Sequence, residues 1–208
     1  MNLPSWIKSI LMLFVSVMIC STCYAEGNTF QKARELQRSG KYDEAIVAFK
    51  DYLSTPISED KLTDQELIQY TDALVQLMNT FQSKGDPEGC ITTLQELFNA
   101  SPILQEQCLR DFNSVLGYAL SRTEKMEEAE ESMLKALSLP LYKATPERYF
   151  RDYAYAAAVF YSNHEYQDDV IDWCQEAMVQ AELCENTSGK QWVAAMLGSL
   201  DRRKGDIN

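Results

Sequence analysis

Two observations in the 208-residue sequence predict an all-α solenoid of antiparallel helix pairs. One block of the chain recurs at a period of about forty residues. Between the turns of that block, apolar residues fall at helical spacing, and no stretch alternates convincingly as a strand would.

The recurring block has a physical logic. Its clearest copy runs from Gly40 to Pro56, Gly-Lys-Tyr-Asp-Glu-Ala-Ile-Val-Ala-Phe-Lys-Asp-Tyr-Leu-Ser-Thr-Pro. Further copies begin at Gly85, Glu124 and His164, and a fifth begins at Gly205. A glycine at the tightest point of the turn permits a positive φ between two helices. A small residue four or five places on (Ala45, Cys90, Ala129) lets the second helix approach the first. A bulky residue one turn later (Phe49, Leu94, Met133) fills the gap between them, and a proline follows. The fourth copy has Asp169-Val170 where a small residue is expected, so its register is open by one.

Helix starts agree with this plan. Asp86-Pro87, Ser101-Pro102 and Thr145-Pro146 pair an N-cap with a first-turn proline. Thr63-x-x-Glu66 and Ser188-x-x-Gln191 have the form of a capping box. Nine helices are therefore expected, over 29–39, 42–54, 63–84, 87–99, 103–122, 126–138, 147–163, 167–184 and 189–204.

The blocks resemble tetratricopeptide repeats (TPR). Gly40-Lys-Tyr-Asp-Glu-Ala45, Phe49 and Pro56 carry the likeness most clearly; Leu116-Gly117, Ala129 and Ala136 carry a second copy, and Leu197-Gly198 begins another. The period departs from the family's, being nearer forty than the shorter plain motif. The resemblance covers nearly all of 26–208 and implies about four and a half repeats with a concave wall built from the first helix of each pair. Such a wall binds extended peptides or partner helices. The groove positions it implies include Arg34, Gln37, Arg38, Asn79, Gln82, Tyr118, Ser121, Arg122, Tyr155, Val159 and Asn163. That set holds three arginines and no acid, in an acidic chain. The same residues also fit an ordinary solvated helix face. The Lys and Asn pattern of chaperone-binding relatives is not evident.

Residues 1–25 read as a secretory signal peptide. A short leader carrying Lys8 precedes an uncharged apolar run, Ser9–Cys20, and a small-residue end with Cys23 and Ala25. The run is shorter than the roughly 18–20 residues a membrane span needs. Cleavage is expected between Ala25 and Glu26, with an uncleaved anchor as the rival, and the expected location is periplasmic or extracellular. The chain carries 19 basic and 31 acidic residues, net −12. That balance argues against nucleic-acid binding, which begins with cations on phosphate. Cys90, Cys108, Cys174 and Cys184 remain after cleavage. Cys174 and Cys184, ten residues apart on one helix, would stand about 15 Å apart, too far for a disulfide; buried thiols are the expectation.

Catalytic constellations fail one by one. His164-Glu165-Tyr-Gln-Asp168 is not a zinc helix of the HExxH kind. There is no CxxC, no phosphate-binding glycine loop and no G-x-S-x-G. The acidic residues Glu127, Glu128, Glu130 and Glu131 suit an early helix turn. The aromatic stretch Tyr149–Tyr161 reads as packing. No cofactor, metal or enzymatic activity is expected. The expected function is an exported scaffold for a protein or peptide partner. The alternative is the extracytoplasmic sensory portion of a longer membrane receptor, since the helix over 189–204 has Trp192, Val193, Met196, Leu197 and Leu200 with no second helix to cover them.

Overall fold

The computed structural model describes residues 29–55, 62–141, 143–163 and 166–205. The leader, its expected cleavage point at Ala25–Glu26, Pro56 and the His164-Glu165 turn lie outside them. Among the described residues there are ten helices and no strand. They are α1 (29–38), α2 (Tyr42–Ser54), α3 (Asp64–Lys84), α4 (Pro87–Ala100), α5 (Pro102–Glu106), α6 (Leu109–Leu120), α7 (Met126–Ser138), α8 (Pro146–Phe160), α9 (Gln167–Leu183) and α10 (Thr187–Gly205). None is long and apolar enough to cross a membrane.

One expectation fails outright: the continuous helix over 103–122 is two helices. The N–H groups of Gln107 and Cys108 both donate to the Ile103 carbonyl, at 2.9 and 3.1 Å, which closes α5. The Cys108 carbonyl then accepts from Phe112 N–H at 2.8 Å and starts α6. The Gln107 side chain accepts from Leu62 N–H at 3.1 Å, so the break also ties down the segment entering α3.

The caps behave as the chemistry of their side chains requires. Thr63 and Glu66 form the full reciprocal box. Asp86 accepts from Gly89 N–H at 2.9 Å and Ser101 from Leu104 N–H at 3.4 Å. Thr145 makes no side-chain cap bond, although Pro146 does open α8. α10 begins earlier than expected. Its cap is Asn186, whose Oδ1 accepts from Gly189 N–H at 2.9 Å, and the Ser188–Gln191 pairing does not form the cap. Gly40 and Gly85 adopt the left-handed φ of 73° and 77° that the turns demand.

Consecutive helices pack as antiparallel pairs, and each pair also touches the next, through α2–α3, α4–α6, α6–α8 and α7–α8. One apolar core runs through the whole stack. Ala45, Cys90 and Ala129 are buried where close approach was expected, and Phe49, Leu94 and Met133 fill the gaps with no exposed surface. At Gly117 the approach is tightest: a Cβ there would stand 3.0 Å from the Ala129 carbonyl oxygen and 3.1 Å from Met133 N. In the fourth pair the buried positions are Val170, Cys174 and Ala177, which settles the open register one residue later than in the other copies. Cys174 is a small plug. Trp173 makes up the volume from a half-buried position, its ring 5.3 Å from that of Phe160.

Candidate functional site

α8 carries charge into the core. Arg148, Arg151 and Asp152 are all buried there, on the same stripe that presents Ala156 and Val159. They meet Asp111 of α6, which is fully buried. Arg148 Nε donates to Asp111 Oδ1 at 3.0 Å, and its Nη2 reaches Oδ2. Its Nη1 donates to the Lys143 carbonyl at 2.8 Å. Arg151 Nη2 joins the same carboxylate. Arg110, from α6, donates through Nε to Asp152 Oδ2 at 2.7 Å and through Nη1 to the Leu139 carbonyl at 2.6 Å. Two buried atoms are left without a hydrogen bond, Arg151 Nε and Asp152 Oδ1, which face each other at 3.8 Å.

The two carboxyls are driven in opposite directions. Burial alone would push Asp111 up, but Arg151 and Arg148 together outweigh it and hold its pKa below the ordinary value. Burial wins at Asp152, whose pKa is raised despite Arg151 and Arg110 beside it.

In front of this cluster lies a cavity of about 730 Å³. α1 contributes Phe30 and Arg34, α3 contributes Ile68, Asp72 and Val75, and α8 contributes Glu147, Arg148, Phe150, Arg151 and Tyr155. Cys184 and Asn186, at the turn into α10, close the far side. The first helices of three separate pairs thus converge on one space. Asp72 and Glu147 also line that space, so it holds acids beside its arginines. Arg34 stands 3.9 Å from Asp72 and 5.8 Å above the Phe30 ring.

Of the residues named from sequence, Arg34 and Tyr155 line the cavity. Tyr118 extends the wall, its ring stacked on Tyr155 at 4.2 Å and 8°, with Trp192 edge-on to it at 6.4 Å. Gln37 donates to the Gln76 carbonyl at 3.2 Å, and Ser121 to that of Tyr118 at 2.8 Å. Asn163 turns toward α7, donating to Glu130 at 3.0 Å. Asn79 and Gln82 are half-buried on α3, outside the cavity lining, and the Gln82 amide nitrogen is buried with no hydrogen-bond partner. Arg38 and Arg122 are exposed. Val159 is core. The aromatic stretch contributes Phe160 to the core, while Phe150 and Tyr155 face the cavity.

Arg110, Asp111, Arg148, Arg151 and Asp152 were missed from sequence. Their signal is there: Arg148, Arg151 and Asp152 stand at helical spacing with Tyr155, Ala156 and Val159, on the stripe that should be apolar. Among the described residues there is no group of three or more His, Cys, Asp or Glu placed to hold a metal ion. All four described cysteines are free thiols, with Cys90, Cys108 and Cys174 buried.

Neither the curated proteins nor the solved structures include a match to this chain. The tetratricopeptide repeat model matches residues 111–140, which span nearly all of α6 and the whole of α7, the pair that closes on Gly117. The described residues form an all-α, TPR-like solenoid of antiparallel helix pairs, and the repeat match lies in its third pair.

Proposed function

We propose that the chain is an exported, non-enzymatic scaffold whose concave face binds a peptide segment of a partner protein. The observation that carries this reading is the convergence of α1, α3 and α8 on a single cavity. Its lining alternates apolar wall (Phe30, Ile68, Val75) with charge (Arg34, Asp72, Arg151), the mixture that fixes a peptide by both side-chain burial and polar orientation. The repeat match supports the same reading, since stacked repeats leave a concave surface with no helix of their own to fill it. Export rests on the make-up of residues 1–25, a lysine-bearing start, an apolar run and a small-residue end.

A twelve-residue peptide library displayed on phage tests the binding reading. Sequences enriched on the wild-type chain should be lost on Arg34→Ala and Tyr155→Ala, whose side chains line the cavity. Equal enrichment on both variants would refute the concave face as the site. Amino-terminal sequencing of protein recovered outside the cytoplasm tests export, and a first residue of Glu26 is the expected result.

A further inference from the structure

The cavity carries both signs of charge on each of two walls. On the α1–α3 wall, Arg34 and Asp72 are about one-third exposed and stand 3.9 Å apart, an ion pair too long for a hydrogen bond. Asp72 also accepts from Gln76 Nε2 at 3.2 Å. On the α8 wall, Glu147 and Arg151 lie one helical turn apart and both line the space. They make no ion pair with each other; Arg151 is drawn to Asp111 beneath it, and Glu147 is exposed. Arg151 is nine-tenths buried, and its Nε makes no hydrogen bond, facing Asp152 Oδ1 at 3.8 Å.

Charge balance then restricts the ligand. In and directly beneath the cavity stand four guanidiniums, Arg34, Arg110, Arg148 and Arg151, and four carboxylates, Asp72, Asp111, Asp152 and Glu147. A ligand with net charge would upset a neutral, partly desolvated site. A zwitterion leaves it neutral and gives the loosely engaged groups closer partners. Between the charged pairs, Phe30, Ile68 and Val75 offer an apolar surface. The cavity is half-open, and its volume of about 730 Å³ is in the range of small-molecule sites. The backbone in the middle of a long chain brings only neutral amides to these charges, so an internal segment would have to meet them with charged side chains.

Resting on the concave face as the ligand site, we propose that this cavity binds a short peptide with both termini free, about two to four residues long. Its α-carboxylate lies against Arg151, its α-ammonium against Asp72, and its apolar side chains against Phe30, Ile68 and Val75.

Titration calorimetry with trialanine and trileucine tests this, each in free, N-acetylated and C-amidated form. The free forms should bind, and blocking either end should weaken binding by about tenfold or more. Asp72→Asn should weaken the free form and leave the N-acetylated form unchanged. Arg151→Lys, which keeps the interior charge, should weaken the free form and spare the amide, with helicity checked by circular dichroism. Absence of binding by both free tripeptides, or equal affinity of free and blocked forms, overturns the proposal. If the phage-selected twelve-residue peptides, synthesised with blocked ends, bind while free tripeptides do not, the short zwitterion is wrong and the peptide groove stands. If neither class binds, both readings fall.

Discussion

Arg148 closes on Asp111 across the α6–α8 interface, Nε to Oδ1 at 3.0 Å, with both residues buried. The pair ties the third helix pair to the fourth at a place where apolar contact would ordinarily do so. Two guanidiniums, Arg148 and Arg151, share this carboxylate, with Asp152 3.8 Å from Arg151 Nε as a second acid. Asp111→Asn keeps the shape and removes the charge that both guanidiniums share. The expected loss is about 3–5 kcal/mol in urea unfolding, the usual cost of breaking a buried pair from one side. A loss below about 1 kcal/mol would mean that water reaches the cluster and screens it.

Asp152 predicts the opposite behaviour with pH. Its folded pKa is raised, first by burial, so ionising it costs stability as pH climbs from the unfolded value near 4 through the folded one. Asp111, held low by its arginines, contributes stability above about pH 4, and that contribution is lost as pH falls through its folded pKa. Asp152→Asn should therefore gain on wild type as pH rises from about 4 toward 7. Unfolding midpoints measured across that range decide it, and parallel profiles for the two proteins would refute the assignment.

Gly117 is a packing glycine. Alanine is the better helix former by about 1 kcal/mol. Its Cβ, however, would press on backbone atoms of α7, at 3.0 and 3.1 Å, which cannot swing aside. Overpacking of this kind costs about 1–3 kcal/mol, so Gly117→Ala should lower the melting temperature. A rise would show that α7 can retreat at little cost.

The thiols should separate cleanly by reactivity. Burial pushes Cys90 and Cys108 up to about 12 and Cys174 to about 11, with almost no thiolate at neutral pH. Cys184 is only half-buried, at the cavity edge. In a Cys20→Ser, Cys23→Ser background, a maleimide should label Cys184 alone in the native chain and all four cysteines in denaturant. Equal native labelling of Cys174 would show that the fourth helix pair opens.

Much of the fold was legible because it is written locally. The small-residue and plug positions, Ala45 with Phe49 and Ala129 with Met133, sit at fixed offsets from each turn and are buried as those offsets require. The α5–α6 break was not legible, because Ile103–Leu120 keeps a helical apolar pattern. The interruption rests on one carbonyl shared by two amides and on the Gln107 bond to Leu62, 45 residues away. In the fourth pair the one-residue shift was equally hidden, since Trp173 and Cys174 are both credible plugs until Phe160 is in place.

The sequence by itself determined the all-α class, the helix pairs and their turns, because capping, glycine φ and helical periodicity act over a few residues. Only the tertiary structure decided where the charges go. Asp111 and Arg148 are 37 positions apart, and Arg34 and Arg151 share one cavity only because the stacked pairs curve α1 and α8 toward the same space. A buried arginine and a solvated one look alike along the chain; what distinguishes them is the carboxylate that packing brings within reach.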